Sequence, residues 1–174
     1  MANFGRMNPQ YKRIFQALAT AKVEFILIGG LAANLRGSAR VTLDVDVVYA
    51  RSRENIQRLV EALRPHAPYL RGAPPGLPFS WDEQTVRMGL NFTLATALGD
   101  IDLLGEVAGG GNYQQLLPHT SELEAFGVKL RCVTLEGLIR LKRAAGRPKD
   151  WEALAELEAL LEERRKHGLD SAAS

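Results

Sequence analysis

The chain has 174 residues, a net charge of +2 from 22 basic and 20 acidic side chains, 46% apolar residues and 24% charged ones. This length predicts one domain, residues 1–174, able to bury roughly 70% of its unfolded surface. The near-balanced charge excludes a uniformly basic nucleic-acid coat.

A single cysteine, Cys132, excludes an internal disulfide and reads as a buried thiol. No apolar run approaches the ~20 residues of a membrane span, and the N-terminus lacks the apolar core of a signal peptide. A cytoplasmic protein without a membrane partner is expected.

Along the chain, Asn8-Pro9 starts a helix on which Tyr11, Ile14, Phe15 and Leu18 recur at helical spacing. Phe25 to Ile28 reads as a buried strand that turns through Gly29-Gly30 into a short helix, Leu31 to Arg36. Arg40 to Tyr49 alternates and predicts a second strand. Ser52 caps a helix to about Arg64, with Ile56, Leu59, Val60 and Leu63 on its apolar face. Residues 65–78 hold Pro65, Pro68, Pro74, Pro75 and Pro78 and read as a loop. Trp81, just beyond it, reads as a core anchor.

Gly89 to Thr96 and Asp100 to Leu104 form a predicted hairpin. Gly109-Gly110-Gly111 reads as a flexible link, and Asn112 caps a short helix to Leu117. Leu123 to Phe126 and Val128 to Val133 pair across Gly127. Thr134 caps a helix from Leu135 to Ala145, which Gly146 ends. Pro148 starts a last helix to about Lys166, and residues from Gly168 onward are expected to fray. The order predicts an α/β (α+β) fold, a central mixed sheet flanked by helices with further helices at the C-terminus.

The stretch Arg40 to Val47 carries the chemistry. In a strand, Arg40, Thr42, Asp44 and Asp46 share one face, and Val41, Leu43, Val45 and Val47 share the other, which reads as buried. Asp44 and Asp46 then lie about 7 Å apart, and their repulsion, on the order of a few kcal/mol, needs an offset. Arg40 supplies part, and a hard divalent cation would supply more. Two solvated acids on an exposed face account for the pair equally well. Gly29-Gly30, at a strand-to-helix turn, offers backbone amides to phosphate oxygens, although a tight turn alone also accounts for it. Asp102, between Ile101 and Leu103, is an acid in a strand, where acids are depleted. Asp100 competes with it on the same face, and Glu106 is a weaker candidate. The large apolar neighbours favour Asp102.

Together, Ile28-Gly29-Gly30, Asp44-Val45-Asp46-Val47 and Ile101-Asp102-Leu103 resemble the core motif of the nucleotidyltransferase superfamily, the fold of polymerase β, over about residues 22–105. Toward the C-terminus, about residues 134–167, Leu138-Ile139-Arg140-Leu141-Lys142 and Gly146-Arg147-Pro148-Lys149-Asp150 resemble small bacterial proteins of the AbiEii type, which include toxins of toxin–antitoxin pairs. The Arg40-x-Thr42-x-Asp44-x-Asp46 pattern is similar to that group as well.

The resemblance implies two Mg²⁺ ions, or Mn²⁺, on Asp44, Asp46 and Asp102 as metal ligands and catalytic residues. It implies a triphosphate held by Gly29, Gly30 and Lys142, with Arg40 and Thr42 beside it and Lys149-Asp150 bordering the site. The expected activity is transfer of a nucleoside monophosphate from a nucleoside triphosphate such as ATP to RNA, a transfer RNA end included, or to protein. An antitoxin protein is the implied partner.

The alternative is a module of the same fold that binds nucleotide or a partner without turnover. An acid-only phosphohydrolase ranks below both, since His66, His119 and His167 lie far in sequence from the aspartates.

Overall fold

The computed structural model describes residues 9–168; the cap expected at Asn8 and the fraying expected beyond Gly168 lie outside the described residues. Helix α1 (Pro9–Thr20) buries Tyr11, Ile14, Phe15 and Leu18, one face at helical spacing. Strand β1 (Phe25–Ile28) is buried at all four positions, as expected of a strand covered on both faces. Helix α2 (Gly29–Leu35) follows without a break, then β2 (Asp46–Tyr49) and α3 (Arg53–Leu63), which is capped by Ser52 as predicted.

Between α3 and the predicted hairpin, two elements arise where the sequence predicted none. The proline-rich stretch contributes β3 (Tyr69–Leu70), a two-residue edge strand, the position in a sheet that tolerates neighbouring prolines. Helix α4 (Glu83–Met88) starts at Asp82, whose side chain accepts from the Thr85 amide. The predicted hairpin is β4 (Asn91–Thr96) and β5 (Gly99–Leu104). The glycine run is not a bare link: β6 (Glu106–Val107) and β7 (Gly111–Asn112) pair across it, and Asn112 closes a capping box with Gln115 on α5 (Tyr113–Leu116). Strands β8 (Thr120–Ala125) and β9 (Val128–Val133) form the second hairpin. Helix α6 (Leu135–Ala145) runs from Thr134 to Gly146, and one 3₁₀ turn, Pro148–Asp150, leads into α7 (Trp151–Lys166).

The larger sheet has seven strands in the order β3-β4-β5-β2-β1-β9-β8. It is mixed, as predicted: β2 runs parallel to β5 and β1 to β9, and the other neighbours are antiparallel. Helix α1 packs against α3, β9 and β5, while α2 packs against α6 and α6 against α7. Cys132 is fully buried in β9, and burial pushes its thiol up to about 11. Trp81 packs against the core and donates Nε1–H to the Val60 carbonyl, the anchor expected of it.

The predicted strand from Arg40 to Tyr49 is corrected: only Asp46–Tyr49 is strand, and residues 40–45 are irregular. The reason is the partner. Ile28 pairs with Asp46, and the chain leaves β1 for α2 at the next residue, so β1 offers no partner to the residues before Asp46, although the Val45 carbonyl still accepts from the Asp102 amide of β5. Side chains take up that stretch instead. Tyr11 Oη donates to the Thr42 carbonyl, and Asn34 Nδ2 donates to the Arg40 and Ser38 carbonyls. The buried face predicted for Val41 and Leu43 is lost with the strand, and they stand 92% and 78% exposed. Val45 and Val47 are buried as expected.

Candidate active site

Asp46 opens β2 and pairs in register with Ile28 on one side and Asp102 on the other. Parallel pairing of β2 with β5 therefore sets two carboxylates on neighbouring strands, side by side. The glycine pair makes room for this. Gly29 has φ +73°, and a Cβ there would collide with the Asp46 carboxylate. A Cβ on Gly30 would stand 2.7 Å from Thr42 Oγ1. The first duty of Gly29-Gly30 is to admit Asp46 and Thr42 against the backbone.

The pair is electrostatically loaded. Burial, then a hydrogen bond with Asp102 and that residue's charge, then the charge of Asp44, push the Asp46 carboxyl up to about 7; the charge of Arg71 pulls the other way. Arg71 follows β3 and reaches over β5, with Nη2 2.9 Å from Asp102 Oδ1 and Nε 3.2 Å from Asp100 Oδ2. Its aligned hydrogen bond goes elsewhere, from Nη2 to the Leu94 carbonyl at 2.9 Å. Asp102 Oδ1 is buried and has no hydrogen-bond partner.

Around the pair lies a cleft of about 660 Å³ lined by Gly29, Gly30, Arg40, Thr42, Asp44, Asp46, Asp102, Lys142, Arg147, Lys149 and Asp150. The ten residues that the resemblance assigned to the site thus meet at one cleft, with Arg147 beside them. Their pairings within it differ from expectation. Arg40 turns from the carboxylates to α7, contacting Glu156 Oε2 at 2.8 Å and Glu152 Oε2 at 3.3 Å. Lys142 Nζ lies 3.0 Å from Asp150 Oδ1, and Arg147 Nε lies 2.6 Å from Asp150 Oδ2. Burial opposes the charge on Asp150, but the hydrogen bonds from Arg147 and Lys142 outweigh it and hold the carboxyl below its usual range. Arg140 and Arg143 of α6 line a separate groove with Glu136, Glu158 and Arg165.

The Asp46–Asp102 pair fits a hard divalent cation. Two carboxylates sit together, one at a raised pKa, and a buried oxygen of the other has unused lone pairs. Asp44 reaches Asp46 through its charge from the loop. Among the described residues, no three His, Cys, Asp or Glu side chains close into a cluster able to hold a metal. Asp100, the competing acid, lies two residues away on β5 and contacts Arg71 instead.

Arg71 and Tyr11 are the contributors the sequence reading missed. Arg71 sits in a proline-rich stretch read as a loop, and only the strand β3 brings it beside the aspartates. Tyr11 reads as one more apolar position of α1, yet its hydroxyl holds the loop that carries Asp44. Burial, then the charge of Asp44, raises the Tyr11 pKa. No local signal marks either residue.

No protein-family model matches the sequence, and no curated protein matches it. By structure the chain is similar to the lincosamide antibiotic adenylyltransferase LnuA in its lincomycin-bound crystal form, with 17% identity, a TM-score of 0.57, and coverage of 88% of this chain and 98% of that one. It is similar to a Thermotoga maritima protein assigned as a nucleotidyltransferase, with 16% identity, a TM-score of 0.52, and coverage of 91% and 96%. It is also similar to the solution structure of the antibiotic-resistance factor ANT(2'')-Ia, with 16% identity, a TM-score of 0.52, and coverage of 91% and 90%. The protein has the nucleotidyltransferase fold, as its motifs implied.

Proposed function

We propose that this protein is a metal-dependent nucleotidyltransferase that moves a nucleoside monophosphate from a nucleoside triphosphate to an acceptor hydroxyl. The observation that carries this reading is the juxtaposition of Asp46 and Asp102 in register on parallel strands, with Asp102 Oδ1 buried and without a hydrogen bond. The fold shared with a lincosamide antibiotic adenylyltransferase and with an antibiotic-resistance factor supports it.

Asp46 and Asp102 would hold the divalent cation, Mg²⁺ or Mn²⁺, with Asp44 as a further donor from the loop. Such a cation supplies charge neutralisation for phosphoryl transfer. The acceptor oxygen attacks the α-phosphorus, its bond to pyrophosphate breaks, and Asp102 takes the hydroxyl proton. The Gly29 and Gly30 amides and Lys149 face the phosphates. Lys142 joins them by yielding its contact with Asp150.

The cleft's cations favour a small acceptor. Arg147 is engaged by Asp150 and Arg40 by α7, and Lys142 turns to the triphosphate, which leaves little positive charge for an RNA backbone to follow. One neighbour of comparable length is named for the small antibiotic it modifies. An RNA or protein acceptor, and an antitoxin partner, belong to the toxin reading that the Arg40–Asp46 pattern implies.

A second reading, a nucleotide-binding module without turnover, is favoured by one observation: among the described residues, Asp44 does not close a cluster with Asp46 and Asp102.

The test is incubation with each α-labelled nucleoside triphosphate, Mg²⁺ and, in turn, a panel of small polyhydroxylated compounds, bacterial RNA and bacterial protein. Labelled small products support the proposal. Label in RNA or protein selects the toxin reading, and nucleotide binding without pyrophosphate release selects the module.

A further inference from the structure

The carboxylate pair already has a cation of its own. Arg71 is anchored on three sides: its amide donates to the Thr93 carbonyl, Nη2 to the Leu94 carbonyl, and Nε lies against Asp100. Held there, the guanidinium stands 2.9 Å from Asp102 Oδ1 without a well-aligned hydrogen bond to it. It therefore offsets negative charge at the pair while leaving the lone pairs of that oxygen unspent. An arginine keeps its charge at every working pH. A divalent cation at Asp102 would approach a fixed positive charge at short range, and at the effective dielectric of a protein cleft that repulsion is large.

We propose that Arg71 is the resident counter-cation of the pair, a positioning residue that keeps affinity for bare divalent cations low until a nucleoside triphosphate brings added negative charge. This rests on the function proposed above. Asp100 is the other half of the device, because it draws the guanidinium away from sole contact with Asp102.

The experiment is calorimetric titration of the full chain with Mn²⁺ alone. Arg71→Gln is expected to bind Mn²⁺ at least about tenfold more tightly than wild type, and Arg71→Lys to stay within about threefold of it. Asp100→Asn, on a half-exposed side chain that threatens the fold least, is expected to bind several-fold more weakly, since the whole guanidinium charge then falls on Asp102. Equal or weaker binding by Arg71→Gln overturns the proposal, as does Asp100→Asn binding as tightly as wild type. Mn²⁺ binding unchanged by Asp46→Asn would place the ion elsewhere and overturn it too. Nucleotidyl transfer is not read in this titration. Tenfold tightening in a protein that transfers no nucleotide upholds the Arg71 role and sinks the function alone.

Discussion

Asp46 leans on Gly29. The carboxylate occupies the space a Cβ at position 29 would need, and the strand pairing that puts it there also sets it opposite Asp102. Gly29, Asp46 and Asp102 thus form one packed unit, although they come from three separate parts of the chain.

Gly29→Ala should break this unit. The substitution adds a side chain at φ +73° and drives it into Asp46. The expected loss is about 2–4 kcal/mol of stability, from positive-φ strain and overpacking together. Nucleotidyl transfer should fall at least ~10²-fold through the displaced carboxylate. Urea unfolding and a labelled-nucleotide assay check the two effects separately. Gly30→Ala, which meets the Thr42 side chain in the loop instead, should cost less stability.

The Asp46 carboxyl, raised to about 7 in the folded protein, gives a pH dependence of defined sign. The unfolded chain releases that proton near pH 4, so between about pH 4 and 7 the folded state binds more protons. This contribution to stability is fully present at the acid end of that window and is lost as pH rises through 7. In metal-free buffer the loss at pH 8 should reach about 1–3 kcal/mol, less than the full shift because solvent enters the cleft. Asp46→Asn should abolish the slope and raise the pH 8 melting temperature by about 2–8 °C. Differential scanning calorimetry in EDTA across pH 5–8 measures both.

Asp150 sets the opposite sign. Hydrogen bonds from Arg147 and Lys142 keep its carboxyl below the usual range despite burial. The stability it contributes is present above about pH 4 and is lost as pH falls below it. Asp150→Ala strands two cations and should cost about 2–3 kcal/mol, toward the low end for breaking a buried pair because Lys142 and Arg147 are partly solvated. Urea unfolding at pH 7 and pH 3.5 should show the penalty shrinking in acid.

Arg36 is a structural counterpart outside the cleft. It is buried, and it donates to the Cys132 and Val133 carbonyls and to Ser121 Oγ, tying the end of α2 to β8 and β9. Arg36→Met removes these three hydrogen bonds from a buried site and should cost about 2–4 kcal/mol, measured by thermal unfolding.

Much of the architecture follows from short-range signals. The caps at Ser52, Asn112 and Thr134, the hairpins across residues 97–98 and 126–127, and the C-terminal stop at Gly146 are chemical choices made locally. Where the reading failed, the deciding partner was remote. Residues 40–45 alternate like a strand, but on the β1 side they find no partner, because β1 has already become α2. The pairing of Lys142 with Asp150, and of Arg40 with α7, depends on how helices pack, which spacing does not encode. Arg71 was invisible for the same reason: a two-residue edge strand placed it over Asp100 and Asp102.

The central claim is that Asp46 and Asp102 form a centre that holds a divalent cation for nucleotidyl transfer. The most direct measurement is transfer from α-labelled nucleoside triphosphate with Mg²⁺ to small hydroxylated acceptors, comparing wild type with Asp46→Asn and Asp102→Asn, both checked for folding. Wild type should give a labelled product, abolished by EDTA, and each variant should lose at least ~10³-fold. Transfer at wild-type rates in either folded variant would contradict the claim.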